Sequence, residues 1–427
     1  MKENIRETRF ENGLTIVTDR MPGVRSVTLG FFFRAGARHE PMELHGITHF
    51  IEHTVFKGTS RRSAKQIAIE LDRLGGNLDA FTSHEETGFA IKVIDNQLAK
   101  AFDLIADVLT DPLFDAADLE SEQKVIIEEI KMIEDSPEEY LGEIFSEAYF
   151  ASHPLGRNIA GTPESVKRFN PDRTRQYHSS IFSSANLVLT AAGSVDHREI
   201  VDLAAKYFSS QRRTATDLSQ IEATPPPSTA APIIVEQDPT LEQAHLIIAT
   251  PMVAATDERR YAAELLANII GGGISSRLWQ KVREQRGLAY SVGASTICYD
   301  DCGIFSMFAA TSPEQVEEVV DLSIVEMRNL VQYGVSEDEL DLAKQHLAAS
   351  ILLSLEDSAA RATALAQSEL TYGRQIPIEE TLARIDAVSI GELQAVAREF
   401  FKTDKVAFAA LGNLKRFKIN RARLRID

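Results

Sequence analysis

The sequence predicts an α+β fold built as two tandem homologous domains, each a mixed or antiparallel sheet packed with helices. Three observations carry this. Strand-like apolar runs alternate with long helical patterns throughout the 427 residues. Consecutive strand-like runs lie close enough in the chain to pair within one sheet. The chain also repeats itself once. "IVTDRMPGVRSVTLGFFFRAGARHE" begins at Ile16 and "IVEQDPTLEQAHLIIATPMVAATDE" at Ile234, an offset of 218 (234 − 16). The domain ends repeat as well: "NLVLTAAGSVD" places Gly193, and "KVAFAALGNLK" places Gly412, after an apolar strand, an offset of 219 (412 − 193). Two matches at nearly one spacing indicate duplication.

In the first copy, strands are expected near 5–18, 26–35, 78–94 and 185–193, with 5–18 and 26–35 able to pair as a hairpin. Helices are expected over 61–75, 95–110, 116–135 and 196–208. In the second copy they are expected over 257–271, 275–286, 313–333, 336–354 and 390–401. The segment "TATDLSQIEATPPPSTAAP", residues 214–232, contains three consecutive prolines, so neither a helix nor a central strand can cross it. It is read as a linker between domains 1–213 and 233–427.

Composition narrows the function classes. Forty-five Lys and Arg stand against 63 Asp and Glu, a formal charge of −18. Such a surface repels nucleic-acid phosphates and anionic lipid and attracts cationic peptides. Neither a nucleic acid nor a membrane is expected as a partner, and no run approaches the ~18 apolar residues of a membrane span. The charged start "MKENIRETRFENGLTIV" lacks the apolar run of a signal peptide, so a cytoplasmic location is expected. Cys298 and Cys302, in "CYDDC", are too few for a disulfide framework and are read as reduced thiols near a turn.

The chemistry concentrates in "GITHFIEHTVFKGT", residues 46–59. On a helix over 43–56, Leu44, Ile47, Ile51 and Val55 form one packing stripe, with Glu52, His49 and His53 turned away from it. Histidines four apart share a face and can put two imidazoles on one ion. Glu52 lies beside them, within reach of an ion-bound water. Helix 116–135 offers further carboxylates: Glu122 and Glu129 share a face two turns apart, while Glu128 is turned about 100° from Glu129.

This pattern resembles the pitrilysin/insulinase family of zinc peptidases, above all its processing-peptidase branch. That family carries H-x-x-E-H with a glutamate about 76 residues beyond the second histidine, which here is Glu129 (129 − 53 = 76). "FENGLTIV", "HPLGRNIAGT" (153–162) and "SSRLWQKVREQRGLAYSV" (275–292) extend the resemblance over essentially the whole chain. It implies that His49, His53 and Glu129 bind one zinc ion per chain, with Glu52 as general base and Glu122 supporting a ligand. It implies that Arg283 and Tyr290 hold substrate backbone and stabilise the oxyanion. It also implies that "GGNLDAFTSHEETGFAIKV" (75–93) forms an edge strand to which an extended peptide adds, through Ala80, Phe81 and Thr82. Asp79 stands where many relatives have Asn.

At offsets of 218 and 221, His49, Glu52, His53 and Glu129 correspond to Ala267, Ile270, Gly271 and Ser350, so the second copy lacks every metal group. The family encloses its substrate with four such domains, which implies a dimer here: a homodimer, or a heterodimer with a related subunit. Arg283 and Tyr290 would then act in trans. The expected function is zinc-dependent endopeptidase acting on unfolded or presequence-like peptides. The alternatives are a non-catalytic or partner-dependent subunit, and a metal-binding protein that holds peptides without turnover.

Overall fold

The computed structural model describes residues 3–209 and 226–426, so most of the expected linker lies outside the described residues. Strands run over Ile5–Arg9 (β1), Thr15–Arg20 (β2), Ser26–Phe33 (β3), Asn77–Thr82 (β4), Thr87–Ile94 (β5) and Leu187–Gly193 (β6). The second half adds Ile233–Gln237 (β7), Ala244–Met252 (β8), Ala289–Cys298 (β9), Gly303–Thr311 (β10) and Ala407–Gly412 (β11). Helices of the first half are Ile47–Thr54 (α1), Ala64–Leu74 (α2), Leu98–Thr110 (α3), Ala116–Asp135 (α4), Pro137–Tyr149 (α5), Pro163–Val166 (α6), Pro171–Ile181 (α7) and His197–Phe208 (α8). Those of the second are Arg260–Gly271 (α9), Val316–Tyr333 (α10), Glu337–Ser354 (α11), Ser358–Tyr372 (α12), Ile378–Ala387 (α13) and Ile390–Phe400 (α14). No helix among the described residues is long and apolar enough to cross a membrane.

The two sheets have one design. The first is ordered β1-β2-β6-β3-β5-β4 and the second β7-β11-β8-β10-β9. Without β1 they superimpose in connectivity: β2 pairs with β6, and β7 with β11, in parallel, and all other neighbours are antiparallel. The sheets are therefore mixed, as expected.

Two strand expectations need correction. The runs 5–18 and 78–94 are each a hairpin of two strands rather than one, turning at Gly13 (φ +97°) and at Ser83–Glu86. The runs 5–18 and 26–35 do not pair with each other, because β6 lies between β2 and β3. The reason is burial: every residue of β6 is buried, and an apolar strand of that kind belongs at the sheet centre.

Chain contacts define two units that are discontinuous in sequence. One comprises Met1–Met132, Arg157–Ala223 and Leu352–Ile376, the other Ile133–Gly156, Thr224–Ile351 and Pro377–Asp427. Each half of the chain thus lends one helix to the other half's sheet. In the first unit α12 lies on β6, β3 and β2. Ser358 Oγ hydrogen-bonds Thr28 Oγ1 at 2.8 Å, and the Arg361 guanidinium donates to Asp19 at 2.7 Å, both out of solvent. In the second unit α5 packs on β8 and β11 through Leu141 and Phe145. β3 reads as nearly continuous apolar sequence because both its faces are covered. Leu29, Phe31 and Phe33 enter the main core, while Phe32 meets Ala366 of α12.

Candidate metal centre

The centre is assembled within the first unit from α1, α4 and β4. The start of α1 is held by a buried carboxylate. Glu40 accepts the backbone N–H of Gly46 at 2.7 Å and of Thr48 at 2.8 Å, answering two of the open donors of a helix N-terminus. Burial pushes this carboxyl up to about 7, against those same hydrogen bonds. Gly46 has φ +90°, and a Cβ there would lie 2.7 Å from the Ala160 carbonyl oxygen and from Gly161 Cα. The neighbouring loop is tied on by Arg157 Nη1, which donates to the Glu40 carbonyl at 3.0 Å. His45 Nε2 does the same by donating to the Asn158 carbonyl at 2.7 Å. This is the structural use of the "HPLGRNIAGT" block.

Ile47, Ile51 and Val55 are fully buried, as the helical pattern requires, and Phe50 is buried as well. The opposite face is not open to solvent: the His49 side chain is only 12% exposed and that of His53 22%. The two rings stand 4.6 Å apart at 62°. From α4, Glu129 brings Oε2 to 3.8 Å from His49 Nε2 and 3.5 Å from His53 Nε2. Ligands around a tetrahedral zinc ion sit about 3.3 Å from one another, so this donor set fits one ion.

The fit extends to the histidine tautomer. His53 Nδ1 lies 3.0 Å from the Glu122 carboxylate, which also receives Lys57 Nζ at 2.5 Å. With the proton on Nδ1, the Nε2 lone pair is left facing Glu129. Burial opposes charge on His53, but Glu122, Glu129 and Glu52 outweigh it and raise its pKa. Burial would raise Glu122, yet its bonds to His53 and Lys57 prevail and hold it low. Burial, with His53 adding, brings His49 down to about 4, so this ring is neutral and able to ligate at ordinary pH.

Glu52 is raised by burial, with Glu129 and Asp79 adding to the effect and the Thr82 hydrogen bond opposing it. Thr82 Oγ1 donates to Glu52 Oε2 at 2.7 Å. β4 is an edge strand, paired only with β5 among the described residues. Its alternation turns Leu78 and Ala80 toward the main core and Phe81 toward Phe32, at 6.3 Å between rings. Asp79 is exposed.

Arg283 and Tyr290 belong to the second unit and form a cluster of their own. Arg283 sits on a single π-helical turn, Trp279–Glu284, and Tyr290 is the second residue of β9, with 79% of its surface exposed. The guanidinium carbon is 4.0 Å from the Trp279 ring centre and 4.4 Å from that of Tyr290, and Nη1 donates to the Tyr290 carbonyl at 3.0 Å. The arginine is therefore held between two aromatic faces.

Sequence reasoning missed Glu40, Lys57 and Trp279, and it missed the hold of Thr82 on Glu52. Only Trp279 was within its reach, since a tryptophan four residues before an arginine on one helical face invites a stacked pair. Neither Cys298 nor Cys302 is in a disulfide. Cys302 packs against the α5 cluster, while Cys298, beside Glu264 of α9, has its thiol pushed up to about 11 by burial.

The family description "Insulinase (Peptidase family M16)" matches residues 15–163, and "Peptidase M16 inactive domain" matches residues 168–347. An uncharacterized zinc protease of Streptomyces coelicolor is 36% identical over 427 residues, covering 96% of this chain and 90% of that one. The chain belongs to the insulinase family of peptidases. Another such relative, the uncharacterized zinc protease YmxG of Bacillus subtilis, is 35% identical over 402 residues, 94% of this chain and 96% of that one. Two solved structures share the fold. A protease from Helicobacter pylori has a TM-score of 0.86 at 21% identity, covering 96% of this chain and all of that one. A peptidase M16 inactive domain from Pseudomonas fluorescens has a TM-score of 0.87 at 19% identity, covering 97% and 100%. The second family description spans most of the copy in which the metal groups are missing.

Proposed function

We propose that the chain is a zinc-dependent endopeptidase of the inverted H-x-x-E-H type, close to the processing-peptidase branch, with one zinc ion per chain. One observation carries the reading: His49 Nε2, His53 Nε2 and Glu129 Oε2 converge within 4.8 Å, beside a Glu52 carboxylate oriented by Thr82. His49, His53 and Glu129 would hold the ion. When bound, zinc supplies Lewis acidity that brings the pKa of a water toward ~7. Glu52 takes the proton of the attacking water on Oε1, the oxygen Thr82 does not hold, and returns it to the leaving amine. Glu122 keeps the His53 proton on Nδ1 throughout. Extended substrate adds to the open edge of β4 through main-chain pairing, with Asp79, Ala80, Phe81 and Thr82 along it. Tyr290 donates to the oxyanion, and Arg283 holds substrate backbone.

The active form we propose is a dimer in which Arg283 and Tyr290 of one subunit serve the zinc centre of the other. The test mixes E52Q protein with Y290F protein and assays cleavage of an unfolded peptide by mass spectrometry. Trans-completion restores part of the activity that both parents lack; mixtures as inactive as the parents reject it. A second reading, a subunit that needs a different partner, is favoured by the "inactive domain" match over residues 168–347. Pure protein that binds zinc, runs as a monomer and cuts no peptide supports that reading instead.

A further inference from the structure

The sheet faces under α12 and α5 are homologous but finished differently. Ala362 and Ala366 of α12 are fully buried, and their small side chains let the helix settle on the first sheet. The positions 221 earlier (362 − 141 and 366 − 145) are Leu141 and Phe145 of α5. These bulkier side chains pack α5 onto β8 and β11, and the part of the face toward β10 and β9 stays open. A cavity of about 250 Å³ lies there, entirely within the second unit. Phe308 and Ile297 line it at 38% and 48% exposure, an unusual position for large apolar groups. The Phe308 ring lies over Gly293, where a Cβ would come within 2.5 Å of it. Glu138, at the start of α5, is the one acid among the described lining residues. Ser291, next in the chain to Tyr290, lines the same cavity.

We infer that this groove is a substrate subsite that takes an apolar or aromatic side chain of an extended peptide, with an adjacent basic residue reaching Glu138. The inference rests on the peptidase reading for its place in catalysis, though not for the binding itself. Two features fix the occupant. A carboxylate at the rim of an apolar floor complements a basic residue beside an apolar one, in a protein whose net charge of −18 already attracts cationic peptides. The groove also runs along β9, past Ser291 and Ile297, and β9 is an edge strand beside which extended chain can lie.

The experiment measures binding to the zinc-loaded full chain carrying E52Q, so that turnover does not interfere. The probes are a fluorescein-labelled ten-residue peptide of alanines and lysines with one central phenylalanine, and the same peptide with alanine in its place. The phenylalanine peptide is expected to bind about tenfold more tightly, the worth of one partly buried aromatic side chain. Ser306→Trp fills the groove and erases the difference; Ala310→Leu does the same more gently should the tryptophan disturb folding. Glu138→Gln weakens both peptides about threefold at low salt. Equal affinity for the two peptides, or a preference that survives both filling variants, overturns the inference. So does a filling variant that changes only the oligomeric state in light scattering, since the occupant is then a second copy of the chain. If the unsubstituted protein cleaves nothing while the phenylalanine preference stands, the endopeptidase reading fails and the groove does not.

Discussion

α1 and α9 occupy the same place in two copies of one topology, each following the strand that pairs with β6 or β11. α1 carries His49, Glu52 and His53 on the face turned toward α4 and β4. α9 carries Ala267, Ile270 and Gly271 at those positions, with Ala267 and Ile270 buried in an apolar core. Gly271 lies so close to β9 that a Cβ would fall 2.2 Å from the Ala294 backbone nitrogen. In one copy the helix stands off its edge strand far enough for imidazoles and a carboxylate. In the other it has closed onto the strand and no side chain fits. Room for the His49, His53 and Glu129 cluster is therefore a matter of helix-to-strand spacing as much as of residue identity. Restoring histidines to α9 would not restore a site.

The comparison can be broken at several points. Glu52→Gln should lower peptide cleavage about a thousandfold with zinc content unchanged, measured by mass-spectrometric assay beside elemental analysis. In the second copy the equivalent region answers in stability rather than activity. Gly271→Ala forces backbone apart and should cost about 3 kcal/mol in urea unfolding, whereas His53→Ala should leave the unfolding midpoint of metal-free protein nearly unchanged. Glu122→Gln removes the charge that orients His53 and should weaken zinc binding about tenfold to a hundredfold by calorimetry. Thr82→Val frees one oxygen of Glu52 and should lower kcat about tenfold with little change in KM.

A smaller effect separates the units by pH. Burial brings His178 and His39 down to about 4, and both are in the first unit. His39 Nδ1 accepts the Gly36 N–H at 3.1 Å, a bond that protonation would break. Each folded-state pKa is below the ordinary 6.5, so the unfolded chain takes up the proton first. The stability they contribute is complete only well above pH 6.5 and is lost as pH falls toward 4. Between pH 7 and 5.5 the loss is about 1.2 kcal/mol per histidine. Hydrogen exchange, corrected for intrinsic rates, should show strands β3 and β6 losing protection over this range before β8 and β11. Equal loss in both sheets would mean that other groups govern acid sensitivity.

Much of this was legible in the chain itself. The pattern of Ile47, Ile51 and Val55 against His49, Glu52 and His53 is local, and a helix obeys it wherever it is placed. The duplication was readable because Ile16 and Ile234, and Gly193 and Gly412, repeat at nearly one spacing. α12 was overlooked because its buried positions are mostly small or polar (Ser358, Arg361, Ala362, Ala366 and Glu369, with Leu365), which make weak apolar periodicity, and α5 because it follows α4 after a single intervening residue, Ser136. The strand 78–94 looked continuous because the turn at Ser83–Glu86 contains neither glycine nor proline.

The sequence by itself determined which residues can serve a metal and, through Glu129 at its family distance, which carboxylate belongs with the histidines. Tertiary structure alone decided how they are held: His53 as the ring that Glu122 supports, Lys57 on Glu122, Thr82 on Glu52, Glu40 beneath the start of α1, and the exchange of α5 and α12 between sheets. Ligand types and helical faces repeat with a short local period. These supporting contacts join residues between 6 and several hundred positions apart. They form only after the chain has closed on itself, so no local period records them.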